Sequence, residues 1–119
     1  MTEQQHKTTL IKWSQAYRNQ FPELKLLHHI PNGGTRNAVE GKHLKQAGVR
    51  SGVPDLCLPV PRGGYHGLYI ELKRSEESKP SKNQKWWLDE LIGQGYCAIV
   101  CEGWEMAADM IVRYLGKPQ

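Results

Sequence analysis

The chain has 119 residues, 39% hydrophobic and 24% charged, with a formal charge of +4 and a pI near 9.0. That length suits a single domain over residues 1–119 with a real but not generous core, and the balance excludes a disordered chain. No apolar stretch approaches the ~18 residues of a membrane span, and the mild basicity permits a nucleic-acid partner without requiring one.

Leu10, Trp13, Tyr17 and Phe21 recur at helical spacing, so a helix is expected from Glu3 to about Asn19, ended by Phe21-Pro22. Leu24–Ile30 reads as a short strand and Pro31-Asn32-Gly33-Gly34 as a turn. Thr35–Gln46 is compatible with a short, mostly polar helix, and Gly48 and Gly52 bracket a loop. Val53–Val60 is the next strand, followed by a hairpin at Gly63-Gly64 and an apolar strand over Gly67–Leu72. Lys73–Lys79 reads as a charged loop. Ser81 with Gln84 three residues later forms a capping box for a helix to about Gln94, with Gln84, Trp87, Leu88 and Leu91 on one face. Gly95 stops it. Tyr96–Cys101 is a strand and Trp104–Leu115 a final helix. The crossover helix implies a parallel partner for the Tyr96 strand, so the fold class is α/β, a mixed central sheet flanked by helices.

The three cysteines, Cys57, Cys97 and Cys101, are odd in number, with no secretory leader ahead of them. Buried thiols in a reducing, cytoplasmic-type compartment are expected. No second Cys or His pair accompanies Cys97 and Cys101 at zinc spacing, and His28, His29 and His43 have no paired ligand spacing.

Chemistry gathers where Pro54-Asp55 begins one strand and Glu71-Leu72-Lys73 ends the next. Residues two apart on a strand share a face, so Glu71 and Lys73 project together while Leu72 enters the core. The hairpin brings Asp55 beside Glu71. Two carboxylates at one spot suit Mg²⁺, with Mn²⁺ as a substitute, and an adjacent ammonium can orient a water or stabilise a transition state. Glu-x-Lys alone means little, since the chain holds four, at Glu23, Glu40, Glu71 and Glu77. Only Glu71 ends an apolar run with a Pro-Asp strand before it. Surface ion pairs on a sheet rim are the competing interpretation of the same residues.

Five segments occur in order: Ile30-Pro31-Asn32-Gly33-Gly34-Thr35-Arg36, Gly48 to Asp55, Pro61-Arg62-Gly63-Gly64, Ile70 to Lys73, and Ser81-x-x-Gln84-x-x-Trp87-Leu88. Together they resemble the virus-type replication-repair nuclease (VRR-NUC) domain of the PD-(D/E)XK superfamily in its stand-alone phage and bacterial form, over about Glu3 to Leu115. The resemblance implies a metal-dependent, structure-selective DNA endonuclease that hydrolyses phosphodiesters. It implies Asp55 and Glu71 as metal-binding carboxylates, the Leu72 carbonyl as a further ligand, Lys73 as the catalytic lysine and Gln84 as an active-site glutamine. Glu3 matches an acidic residue of the family's first helix; a solvated, frayed terminus is its alternative. For Gln84 the alternative is the cap alone, the side chain serving one role at a time.

Asn32, Arg36, Lys42, His43, Lys45 and Arg50 precede the catalytic strand, and Lys73, Arg74, Lys79, Lys82 and Lys85 follow it. Asn32, Arg36, Arg50, Arg74, Lys82 and Lys85 are the candidate DNA contacts. Lysines in a first helical turn oppose the helix dipole, which hints at phosphate partners for Lys82 and Lys85. The stand-alone members act as dimeric junction-cleaving enzymes. A four-way (Holliday) junction on branched DNA, cut by a homodimer in the cytoplasm of a bacterial or phage-infected cell, is therefore the expected setting. Exposed Trp86 and a Met106, Met110, Tyr114 stripe beside the Trp104, Ala108, Ile111, Leu115 face are candidate dimer surfaces. Restriction- or repair-type cleavage of flap, nick or duplex DNA, and a non-catalytic DNA-binding module, are the competing functions.

Overall fold

The computed structural model describes residues 1–31 and 38–119. Helix α1 (Glu3–Ala16) opens with a capping box in which the Thr2 side chain accepts from the Gln5 N–H and the Gln5 side chain accepts from the Thr2 N–H. It ends short of Asn19. Tyr17, one of the residues at helical spacing, lies just past the helix, is 41% exposed and has its ring 5.6 Å from that of Trp13.

The expected strand over Leu24–Ile30 is mostly a 3-10 turn, Pro22–Leu26. Proline's fixed φ suits the first position of a helical turn and overrides the apolar pattern. Only His28–His29 pairs, as β1. Helix α2 (Ala38–Gln46) follows; the expected turn at 31–34 and the start of its helix fall largely outside the described residues. Strand β2 (Leu56–Leu58) is shorter than Val53–Val60, because Pro54 and Pro59 flank it and have no N–H for the ladder. The hairpin is as expected. Gly63 and Gly64 have φ of 57° and 88°, and Arg62 and Tyr65 exchange backbone hydrogen bonds of 3.2 and 2.9 Å. Two positive φ values are what a tight hairpin turn demands, and glycine supplies them.

Strand β3 (Leu68–Lys73) includes Lys73, placed in a loop by sequence reasoning. Helix α3 (Lys82–Gly93), β4 (Cys97–Glu102) and α4 (Trp104–Leu115) complete the chain. The sheet order is β1-β2-β3-β4, antiparallel, antiparallel, then parallel. This is the expected mixed α/β sheet.

By alternation Leu68, Ile70 and Leu72 share one face of β3. They form a core with Leu10 of α1, Leu56 and Leu58 of β2, and Ala107 and Ile111 of α4. Each fully buried leucine contributes ~1.5–3 kcal/mol. Helix α3 packs on β4. Cys57 and Cys101 are buried free thiols. The second stripe on α4 is largely absorbed by the core. Tyr114 is 3% exposed and its hydroxyl donates to the Val60 carbonyl at 2.6 Å. Met110 packs against the core and only Met106 stays exposed. Trp86 is exposed, as its helical phase predicts. Among the described residues no helix is long and apolar enough to cross a membrane.

Candidate active site

Four elements deliver side chains to one end of β3. Asp55 stands just before β2, where pairing with β3 has stopped at Leu56↔Ile70. Its carboxylate takes the place of the missing ladder bond: Oδ2 accepts the Leu72 N–H at 2.8 Å. The Asp55 carbonyl accepts from the Ile30 N–H at 2.7 Å and meets His29 Nδ1 at 2.9 Å. Asp55 is therefore fixed through both its backbone and its side chain.

Glu71 and Lys73 lie on the face of β3 opposite Leu72, as expected. Asp55, Glu71 and Lys73 are 5%, 1% and 7% exposed, which removes the surface-ion-pair interpretation. Lys73 Nζ lies 3.9 Å from Glu71 Oε2 and 3.9 Å from Glu3 Oε2. Glu3, on the first turn of α1, thus reaches the edge of the cluster with its side chain 41% exposed.

The Asp55 and Glu71 carboxyl groups are close enough to influence each other's ionisation. Burial pushes the Glu71 carboxyl up to about 9; Asp55 adds to the shift by hydrogen bond and by charge, Glu3 adds by charge, and Lys73 opposes it. Glu71 Oε1 is buried with no hydrogen-bond partner among the described residues. A structural ion pair has no need of two neighbouring buried carboxyls and an orphaned oxygen, and such an arrangement costs stability. Groups of this kind mark functional sites.

Gln84 makes the cap contact and a contact to Glu71 at once. Its Oε1 accepts from the Ser81 N–H at 2.8 Å, and its Nε2 lies 3.5 Å from Glu71 Oε2 as donor. The amide has one acceptor end and one donor end, and each finds its own partner.

Sequence reasoning missed Lys7 and Asn83. Lys7 Nζ lies 3.7 Å from Asp55 Oδ1. The signal was present: Lys7 is one helical turn after Glu3, so placing Glu3 at the site brings Lys7 with it. Asn83 Nδ2 donates to the Ser51 carbonyl at 2.8 Å and to its hydroxyl at 3.0 Å, and Trp87 Nε1 donates to the same carbonyl at 3.2 Å. Gly52 packs here with φ of 88°, where a Cβ would stand 2.7 Å from Asn83. The loop leading to Asp55 is thereby clamped to the helix carrying Gln84. No local pattern announces such a long-range contact.

Of the basic residues, the Arg50 guanidinium lies 5.2 Å above the Trp87 ring. Arg74 Nε donates to Ser78 Oγ at 3.3 Å. Lys82 and Lys85 are exposed on α3. Asn32 and Arg36 lie outside the described residues. Among the described residues no three His, Cys, Asp or Glu side chains converge as a ready metal cluster. The donor set is the Asp55–Glu71 pair, with Glu3 tied to it through Lys73.

The family model for the VRR-NUC domain matches residues 1–105. A solved structure described as a VRR_NUC domain protein is similar at 33% identity and TM-score 0.85, covering 100% of this chain and 92% of that chain. Comparison with curated proteins found no match. The extent of the family match, the closeness of the structural likeness and the mixed sheet agree, and the chain belongs to the VRR-NUC domain family, a nuclease domain consistent with the PD-(D/E)XK superfamily.

Proposed function

We propose that this nuclease domain is a Mg²⁺-dependent DNA endonuclease, with Mn²⁺ as a substitute, and that its natural substrate is branched DNA, above all the four-way junction. The observation that carries the metal is Glu71 Oε1, buried and unpartnered beside a second carboxyl group. Hard, anionic oxygens held together away from water fit a divalent cation, which relieves their repulsion. Asp55 and Glu71 are the holding residues. The Leu72 carbonyl adds an oxygen from the peptide that Asp55 already grips, and Glu3 stands in reserve beside Lys73. When bound, the cation lowers the pKa of water and neutralises charge on a phosphate.

The chain's own groups do the rest. Lys73, held between Glu71 and Glu3, orients the attacking water or stabilises charge on the phosphoryl oxygens. Gln84 fixes the Glu71 carboxylate while capping α3, so the helix start and the site move as one. Arg50, Lys82, Lys85 and Arg74, with Asn32 and Arg36, hold the phosphate backbone without reading sequence.

A four-way junction is nearly two-fold symmetric and needs two matched cuts, so we assign a homodimer to the working enzyme. Trp86 and Met106 remain as exposed apolar candidates for its surface. The buried free thiols suit the cytoplasm of a bacterial or phage-infected cell.

Junction, flap, nicked and duplex substrates, with and without chelator, test this directly. Junction cleavage that needs Mg²⁺ or Mn²⁺, disappears in Asp55→Ala and comes from a species of dimeric mass is expected. Metal-dependent cleavage of flaps or duplex alone assigns another repair or restriction role, binding without cleavage assigns a non-catalytic module, and full cleavage in chelator overturns the metal.

A further inference from the structure

A groove of ≈ 350 Å³ runs between α1 and β1, and no function discussed above uses it. Its lining includes Lys7, Lys12 and His29, the amide side chains of Gln4 and Gln15, and Ile11. Among the described residues no acidic side chain lines it. Two of its residues touch Asp55: Lys7 Nζ lies 3.7 Å from Oδ1, and His29 Nδ1 lies 2.9 Å from the backbone carbonyl. The groove therefore adjoins the candidate active centre, with Lys7 shared between them.

We propose that this groove receives one strand of the substrate DNA beyond the phosphate being cut, with Lys7 at its active-centre end. The inference rests on the nuclease reading and extends it by giving the strand a path. The chemistry is that of a polyanion with apolar sugars. Ammonium and amide N–H groups from successive turns of α1 meet phosphate oxygens, and Ile11 between them offers a surface for the sugar. Gln4 and Gln15 are eleven residues apart, or ~16 Å at 1.5 Å per residue. One DNA strand advances ~3.4 Å per phosphate, so the stripe spans about five steps. A strand leaving the Asp55–Glu71 pair passes Lys7 first and Lys12 afterwards.

The test leaves the catalytic cluster untouched. Lys12→Glu and Lys12→Ala are compared with Lys117→Glu, an equal charge change at the hairpin end, where Lys117 lies 5.3 Å over Tyr65. Binding of a labelled four-way junction is measured in Ca²⁺ across a salt titration, and the cleavage rate at saturating junction in Mg²⁺. Lys12→Ala is expected to lower the slope of log K against log salt by just under 1, the signature of one lost phosphate contact. Lys12→Glu is expected to weaken binding on the order of 10-fold. The saturated cleavage rate stays unchanged in both, and Lys117→Glu leaves the slope unchanged. Equal loss in Lys12→Glu and Lys117→Glu, or no loss in Lys12→Glu, overturns the groove while leaving the nuclease reading intact. Wild-type protein that binds no DNA overturns both.

Discussion

The two faces of β3 are built on opposite principles. Leu68 and Ile70 sit in the core, 1% exposed each, against apolar neighbours. One step further, Glu71 is just as buried, 1% exposed, but faces another carboxyl group and leaves Oε1 without a partner. Burial stabilises the face that also carries Leu72 and penalises the face of Glu71. The same strand therefore supplies stability on one face that it gives up on the other, and the face that gives it up carries the candidate active centre.

The contrast is broken most sharply by single substitutions on either side of the Ile70–Glu71 bond. Lys73→Ala is expected to reduce cleavage by ~10²–10⁴ while the protein stays folded by circular dichroism; cleavage at the normal rate removes Lys73 from the mechanism. Ile70→Ala is expected to cost ~2–5 kcal/mol of stability by urea unfolding, with cleavage per folded molecule kept. Equal effects of the two changes on stability and on rate would erase the distinction between the faces.

Acidity sharpens it. Glu71 has a folded-state value of about 9 against an ordinary 4.5, so the folded state holds a proton that the unfolded chain releases. That contribution is fully present below about 4.5 and is lost as pH rises through about 9. In chelator the melting temperature should fall across this window. Glu71→Gln should flatten the fall, and Mg²⁺ should stabilise the wild-type protein increasingly toward high pH. A metal-free melting temperature that ignores pH equally in wild type and Glu71→Gln would contradict the buried carboxyl pair.

The smallest effect comes from the two capping boxes, Thr2–Gln5 on α1 and Ser81–Gln84 on α3. Gln5→Ala and Gln84→Ala should each cost a cap, about 0.5–1 kcal/mol. Only Gln84→Ala should also slow cleavage, because only its amide reaches Glu71. Cleavage rates unaffected by Gln84→Ala would reduce that residue to a cap.

The sheet was legible because its signals are local. Alternation in Leu68–Lys73, two glycines at the hairpin and a Ser-x-x-Gln start to α3 each act within a few residues. The 3-10 turn at Pro22 was hidden by an apolar run that imitates a strand. The Met106, Met110, Tyr114 stripe was misjudged because periodicity counts apolar residues and does not see how wide a core is; Tyr114 reaches Val60 across it. At the site, Asp55, Glu71 and Lys73 could be placed from strand phase, but their burial could not. Gln84 looked like a choice between two roles because the sequence does not show that Glu71 lies within reach of the amide end the cap leaves free. Lys7 was one helical turn from Glu3 and was overlooked; Asn83 clamps a loop distant in sequence and leaves no local trace.

Proton release on Mn²⁺ binding near pH 7 tests the central claim most directly, read by calorimetry in buffers of differing ionisation enthalpy. If Asp55 and Glu71 hold the cation, binding must displace the Glu71 proton, so about one proton should leave per ion, and the release should vanish in Glu71→Gln. Mn²⁺ that binds equally well to wild type, Asp55→Ala and Glu71→Gln, or does not bind at all, would contradict the assignment of this carboxyl pair as a metal site.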